Sequence, residues 1–209
     1  MKSYLMEAIG TLFLILVIAL TGNPVAIAAA LAAMIYIGAH VSGGHYNPAV
    51  SIAVSIIGKQ TWSKTIGYVF AQLSGALLGV LIAHILSGKI LVVSPAPETL
   101  LYQGILAEGM FTFALVSAVL HTAISPKSSG NPYFGMTIGL ALLFGALSIG
   151  TLSGGALNPA VGIAPLIYGL VISKSLALES MIIYSVGPLM GGVLAAQFYQ
   201  LTHAHEKLK

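Results

Sequence analysis

The sequence predicts an all-α membrane protein with six spanning helices and two short helices that enter the bilayer and turn back. Only 6% of the 209 residues are charged and 57% are hydrophobic, whereas a soluble domain carries roughly 25% charged residues. The mean hydropathy of +0.98 points the same way. A chain of this size has too little polar surface to cover such an apolar sequence in water, so lipid is its expected solvent.

Six apolar stretches are long enough to cross a bilayer, since a spanning helix needs about 20 residues. They cover roughly residues 4–21, 24–41, 63–86, 103–122, 133–152 and 178–200. Two shorter apolar segments, 47–57 and 158–170, lie between them. A helix of about 10 residues is about 15 Å long, half of the hydrocarbon core. We expect each short segment to dip into the bilayer and return, which requires burial in protein or a water-filled cavity.

The two halves of the chain, about 1–100 and 101–209, repeat the same pattern. The motif Ser-Gly-Gly-His-Tyr-Asn-Pro-Ala-Val at 42–50 recurs as Ser-Gly-Gly-Ala-Leu-Asn-Pro-Ala-Val at 153–161. Each half holds three spans, and an odd number places the second half upside down relative to the first. The sequence therefore predicts one transmembrane channel domain, residues 1–209, built as an inverted repeat.

The repeated Asn-Pro-Ala is a helix start, because Asn is a favoured N-cap and Pro a favoured first helical residue. Two such starts entering from opposite faces would meet near the midplane, and each carries about half a positive charge. The side-chain amides of Asn47 and Asn158 would be free to donate to one water molecule, which then cannot relay a proton. The motif residues are Asn47, Pro48, Ala49, Asn158, Pro159 and Ala160. This pattern predicts a passive channel that excludes protons and ions.

Glu7 and Glu108 lie at matched positions inside apolar spans. A buried acid at a helix centre costs about 2.5–3.5 kcal/mol on insertion scales, so function as a proton relay or ion site is the default interpretation. The alternative is that each carboxylate accepts hydrogen bonds from the irregular backbone before a short helix. The matched positions favour this structural role.

These motifs, with Glu7-Ala-Ile-Gly-Thr, Ala107-Glu108, Thr112-Phe113 and Pro165, resemble the aquaporin family over nearly the whole chain. The resemblance implies a right-handed bundle, one pore per subunit and a homotetramer. It implies pore-lining carbonyls at Gly43, Gly44, His45, Gly154, Gly155 and Ala156. It also implies an apolar pore wall at Leu14, Leu31, Leu115 and Leu142, with lipid-facing leucines as the alternative. His45 would pin its loop, and a pH gate at His40 or His45 is the other possibility.

The outer constriction departs from the family pattern. Most members place an Arg directly after the second Asn-Pro-Ala, facing an aromatic residue and often a His. Here the four filter positions fall on Ile27, Ala146, Gly155 and Val161, and the chain contains no Arg. Some plant vacuolar members carry a similar Val and resemble channels for water plus ammonia, urea or peroxide. We expect a wide apolar filter that passes water and small uncharged solutes, with glycerol among the candidates.

Other function classes are less well supported by the sequence. A secondary transporter also uses inverted repeats and broken helices, and a family relative with a closed pore could be purely structural. No Ser–His, paired Asp or His–Glu zinc pattern stands at a spacing suited to an enzyme or a metal site. Cofactors, metals and nucleic acid are therefore not expected.

The lysines predict the orientation in the membrane. With both termini cytoplasmic, six of the eight lysines lie inside, as the positive-inside rule requires. The six are Lys2, Lys59, Lys64, Lys127, Lys207 and Lys209, against Lys89 and Lys174 outside. We expect a multi-pass protein of the cell (inner or plasma) membrane.

Overall fold

The computed structural model describes residues 1–173 and 177–203, without the side chain of Ser173. Lys174, Lys207 and Lys209, which enter the orientation argument, lie outside the described residues. The α-helices are α1 (Lys2–Thr21), α2 (Pro24–Ser42), α3 (Pro48–Ile56), α4 (Trp62–Ser87), α5 (Leu101–Val119), α6 (Phe134–Ser153), α7 (Pro159–Ser173) and α8 (Leu178–Thr202). A π-helical turn, Leu120–Ile124, extends α5, and a 3₁₀ turn, Pro126–Ser128, follows it.

Six of these helices are long and apolar enough to span a membrane, and they coincide with the six predicted stretches. The turn between α1 and α2 shows why they begin and end where they do. Gly22 ends α1 in the left-handed conformation with φ 57°. Asn23 then caps α2 by accepting from the amides of Val25 and Ala26, and Pro24 is its first residue. Two residues are therefore enough to reverse the chain.

The short helices α3 and α7 match the two predicted half-spans. Helix α3 has 9 residues and is about 14 Å long at 1.5 Å per residue. Helix α7 has 15 residues and continues past Pro165, further than the predicted end at 170. Each follows an irregular loop, 43–47 or 154–158, which carries the chain from a spanning helix into the interior.

Glycines allow the spanning helices to approach one another closely, at equivalent places in the two halves. Helix α1 packs along α4, and α5 packs along α8. A Cβ added at Gly75 of α4 would collide with the backbone carbonyl of Ala8. A Cβ at Gly191 of α8 would likewise collide with the carbonyl of Gly109 on α5. Small residues at such crossings permit the dense packing that holds helices together in lipid.

The chain trace defines two faces of the bundle. The face at which α1 begins is called the N-terminal face, and the face at which α1 ends is called the opposite face. Helix α3 enters from the N-terminal face and packs against α8, while α7 enters from the opposite face and packs against α4. Each half-helix thus contacts the third span of the other half, as an inverted repeat requires.

Candidate functional site

The loop before α3 is held by the carboxylate of Glu7, which is fully buried. Its Oε1 accepts from the Ser42 hydroxyl at 2.6 Å and from the amide of His45 at 3.0 Å. Its Oε2 accepts from the amide of Tyr46 at 2.7 Å and from the Gln72 side chain at 2.8 Å. Four donors occupy the four acceptor sites of the carboxylate, so Glu7 satisfies a stretch of backbone that belongs to no helix.

Glu108 does the same for the loop before α7. Its Oε1 accepts from the Ser153 hydroxyl at 2.7 Å and from the amide of Ala156 at 3.0 Å. Its Oε2 accepts from the amide of Leu157 at 2.7 Å. Both acids therefore have the geometry expected for a structural role, because each carboxylate accepts hydrogen bonds from the backbone of its loop.

Tyr46 and Leu157, the residues before the two asparagines, have positive φ values of 49° and 51°. The left-handed conformation is uncommon outside Gly, Asn and Asp and needs support from its surroundings. Here the left-handed conformation turns the carbonyls of Tyr46 and Leu157 towards the opposite loop. The Asn158 side-chain amide donates to the Tyr46 carbonyl, and the Asn47 amide donates to the Leu157 carbonyl, both at 2.9 Å. The two loops are thus tied to each other at the centre of the protein.

The two asparagines cap the half-helices. Asn47 Oδ1 accepts from the amide of Ala49, and Asn158 Oδ1 accepts from the amide of Ala160, each at 2.9 Å. The expectation that each side-chain NH₂ is wholly free needs correction, since one hydrogen goes to the opposite loop. An amide carries two donor hydrogens, so one remains on each asparagine. Both asparagines line a cavity.

That cavity has a volume of about 560 Å³ and is lined by residues of both halves of the chain. Towards the opposite face it is lined by Gly22 and Pro24 of the α1–α2 turn and by residues 91–94 of the α4–α5 loop. Towards the N-terminal face it is lined by Val119 at the end of α5 and Ile138 near the start of α6. None of the described lining residues is charged. The described lining of the cavity is therefore uncharged, and the N-termini of both half-helices, at Asn47 and Asn158, lie on it.

The structure brings the four filter positions together on this cavity, towards the opposite face. Ile27, Ala146, Gly155 and Val161 all line it. Val161, the third residue of α7, is 4% exposed and offers no hydrogen-bond donor from its side chain.

The predicted carbonyl positions divide into two groups. Gly44, His45, Gly154, Gly155 and Ala156 line the cavity. Gly43 is not among the lining residues, although it ends α2 in the same left-handed conformation as Gly154, which ends α6 and lines the cavity.

The four leucines of the predicted wall also line the cavity. Leu14, Leu31, Leu115 and Leu142 are 3–6% exposed, so the lipid-facing alternative is wrong for them. They pair between the halves, Leu14 with Leu115 and Leu31 with Leu142, as the repeat predicts.

Sequence reasoning missed part of the lining and part of the support. The missed wall residues include Ile18, Ile35, Val50, Val119, Ile138 and the loop residues 91–94. The missed support includes Tyr68 and Tyr184, whose hydroxyls donate to the carbonyls of Ser42 and Ser153 at 2.5 and 2.6 Å. Helical spacing from Leu14 or Leu31 could have suggested Ile18 and Ile35, but the position of the long α4–α5 loop follows only from the fold.

Comparison with known proteins identifies the family. A family model described as "Major intrinsic protein" matches residues 1–199. The chain belongs to the major intrinsic protein family. Membership of this family makes the protein a membrane channel and not an enzyme. The paired half-helices are part of the fold of this family.

Relatives of this major intrinsic protein come from plants, bacteria and archaea. "Aquaporin TIP4-4" of Zea mays is 33% identical over 189 residues, covering 88% of this chain and 71% of the relative. "Glycerol uptake facilitator protein-like 6" of Lactiplantibacillus plantarum is 32% identical over 212 residues, covering 94% and 95%. "Aquaporin AqpM" of Methanothermobacter marburgensis is 32% identical over 178 residues, covering 82% and 72%.

A solved structure shows the same fold. The aquaglyceroporin from Plasmodium falciparum superposes with a TM-score of 0.86 at 23% sequence identity, covering 100% of this chain and 99% of that one. The likeness extends over the six spans and both half-helices, so the bundle with its inverted repeat is the fold of this family.

Proposed function

We propose that this protein conducts water and small uncharged solutes through one pore per subunit and excludes protons and ions where the two half-helices meet. The observation that supports this most directly is the pair of capping asparagines on an uncharged cavity between the two faces. Each asparagine keeps one side-chain hydrogen for a permeating molecule. The positive ends of two helix dipoles point at the same place and oppose the passage of cations.

The solutes we propose are water together with ammonia, urea, glycerol or peroxide. The filter formed by Ile27, Ala146, Gly155 and Val161 carries no charged side chain. Two kinds of relative, the maize aquaporin and the bacterial glycerol uptake facilitator, match the chain about equally well. A channel of broad selectivity agrees with the apolar filter and with the similarity of the chain to both kinds of relative.

A channel explains the buried acids better than a secondary transporter does. A transporter of this architecture would need a group in mid-membrane that binds or releases the coupling ion. Glu7 and Glu108 are the mid-membrane candidates, and their oxygens accept hydrogen bonds from the pore loops, from the serines that precede them and, for Glu7, from Gln72. A closed-pore structural protein is the other alternative, and the flux measurements below distinguish it from a channel.

We also propose a homotetramer in the cell (inner or plasma) membrane with both termini in the cytoplasm. The described lysines on the N-terminal face are Lys2, Lys59, Lys64 and Lys127, and Lys89 lies on the opposite face. This excess agrees with the positive-inside rule when the N-terminal face is cytoplasmic.

Flux measurements on purified protein in liposomes test the channel. Stopped-flow light scattering should show rapid water movement with a low activation energy, and non-saturating flux of at least one of ammonia, urea, glycerol and peroxide. Empty liposomes are the control. Saturable uptake that depends on an ion gradient would support the transporter, and shrinkage no faster than that of empty liposomes would support the closed pore.

A further inference from the structure

Each position of the apolar filter has a counterpart in the other half of the repeat, at the same distance in sequence from the pore asparagine. Ala146, for example, lies 12 residues before Asn158, and Ile35 lies 12 residues before Asn47. Because the halves are inverted, a counterpart lies on the other side of the asparagines. The counterparts of Ile27, Ala146, Gly155 and Val161 are, in the same order, Ile138, Ile35, Gly44 and Val50.

These four counterparts, Ile35, Gly44, Val50 and Ile138, are called the second ring. All four line the cavity. Ile35 lies in the second half of α2 and Ile138 near the start of α6, so both are closer to the N-terminal face than to the opposite face. The cavity therefore has a set of four equivalent residues on each side of the asparagines.

The same close contact between loop and helix occurs in both sets. A Cβ added at Gly44 would come within 3.4 Å of the Cα of Ile35. A Cβ added at Gly155 would come within 3.3 Å of the Cα of Ala146. Position 35 is therefore the structural equivalent of position 146, beside a glycine of the pore loop in each case.

The second ring differs from the filter in one side chain. Both sets contain one glycine, one valine and one isoleucine at matching positions. The fourth position holds Ile35 in the second ring and Ala146 in the filter. A branched butyl group thus takes the place of a methyl group on the cavity wall, and this difference narrows the second ring.

The two sets also differ in how far solvent reaches them. All four residues of the second ring are buried, and Ile35 is only 2% exposed. In the filter, Val161 is buried, whereas Ile27, Ala146 and Gly155 are partly exposed. Since both sets line the same cavity, the lower exposure of the second ring indicates the narrower passage.

We infer that the second ring is the size-selective constriction of this pore and that Ile35 is its specificity-determining residue. The inference rests on the proposed channel function. A solute that enters from the opposite face passes the wider filter first and is then selected by size on the N-terminal side of the asparagines. The diameter of the narrowest apolar section sets which neutral molecules cross a pore.

The first test enlarges the second ring. Ile35→Ala places at position 35 the residue that stands at the equivalent position 146. In liposomes, we expect permeabilities for glycerol and the larger polyol erythritol to rise about tenfold or more relative to water, a barrier lower by about 1.4 kcal/mol. Ile35→Val should have an intermediate effect. Ile35→Leu is the matched control, because it conserves side-chain volume and should leave the polyol-to-water ratio close to that of wild type.

The second test narrows the filter. Ala146→Ile gives both sets the same four residue types, so two equal barriers then lie in series. We expect this variant at most to halve the glycerol permeability of wild type. The double variant Ile35→Ala with Ala146→Ile moves the larger side chain to the other side of the asparagines, and it should return the polyol-to-water ratio to near the wild-type value.

The outcomes distinguish this inference from the proposed function. A misfolded variant loses water and polyol flux together, so a higher polyol-to-water ratio reports the width of the pore and not stability. If Ile35→Ala does not fold, Ile35→Val and Ala146→Ile decide the question. Unchanged ratios in folded Ile35→Ala or Ile35→Val, or a loss of about tenfold or more in Ala146→Ile, would overturn the inference. A wild-type protein with water flux no faster than empty liposomes would instead overturn the proposed function.

Discussion

Val161 is the residue that most distinguishes this pore from the common pattern of its family. It follows Asn158, Pro159 and Ala160 in the first turn of α7 and lines the cavity. An aliphatic side chain there supplies neither a positive charge nor a donor for solute oxygens. We therefore expect the exclusion of ions to depend on the half-helix ends alone, and larger neutral solutes to meet less resistance.

Val161→Arg should narrow the range of solutes. A guanidinium at this place adds charge and five donors and reduces the width of the cavity. We expect glycerol and urea permeabilities to fall about tenfold or more, which corresponds to a barrier higher by about 1.4 kcal/mol, while water permeability changes less. Solute-specific stopped-flow measurements on liposomes check this.

Val161→Met is the control for size, since it lengthens the side chain without adding charge. Its effect on urea should be smaller than that of Val161→Arg. Equal urea and glycerol fluxes in wild type and in folded Val161→Arg would show that the filter lies elsewhere.

At the scale of elements, the contacts between α1 and α4 and between α5 and α8 determine where the buried acids sit. Glu7 lies on α1 close to Ala8, against which Gly75 packs. Glu108 lies on α5, and a Cβ added at Gly187 of α8 would come within 2.8 Å of its Cβ. Close crossings therefore hold each carboxylate in reach of its loop, so the packing of the spans and the shape of the pore loops are coupled.

Gly75→Ala should consequently destabilise the protein. The added Cβ would overlap the Ala8 carbonyl, a backbone atom that cannot rotate away. Overpacking of this kind costs about 1–3 kcal/mol, and more where backbone must move. We expect a lower midpoint of thermal or SDS-induced unfolding in detergent, accompanied by reduced water flux because Glu7 is displaced from its loop.

Gly169→Ala on α7 is the matched control, because a Cβ there meets nothing within 4 Å. Alanine favours the helix by about 1 kcal/mol over glycine, so this variant should unfold at the same midpoint as wild type or a higher one. A Gly75→Ala protein as stable as Gly169→Ala would contradict the close crossing.

At the scale of the whole molecule, none of the described residues that line the cavity is charged, and we expect a positive potential where the two half-helices start. Two helix starts from opposite faces contribute about half a charge each, and the loops that present them are bonded to each other through Asn47 and Asn158. We expect this arrangement to block protons even without an arginine. Proton flux into liposomes under a pH gradient should equal that of empty liposomes.

Asn158→Asp should break this exclusion. A carboxylate keeps the N-cap but replaces the donor to the Tyr46 carbonyl and neutralises the positive helix ends. We expect proton or cation leak above the wild-type level in the same liposome assay. Asn23→Asp makes the same change at the exposed cap of α2 and should leave the leak unchanged. A proton-tight Asn158→Asp channel would argue against electrostatic exclusion at the half-helices.

The sequence by itself determined the topology and the chemistry of the centre of this protein. Span lengths follow from bilayer thickness, the half-helix starts follow from the capping preferences of Asn and Pro, and the inverted repeat follows from an odd number of spans per half. The four wall leucines were predicted from the resemblance to the family, and the repeat aligns them in pairs.

The tertiary structure decided which hydrogen bonds the central groups make. One amide hydrogen of each asparagine is used by the opposite loop, and the α4–α5 loop reaches the cavity mouth. Each of these contacts joins residues whose relative position depends on how the halves interlock. Local sequence patterns describe a helix and its ends, whereas a bond between two loops about 110 residues apart exists only once the inverted halves are packed together.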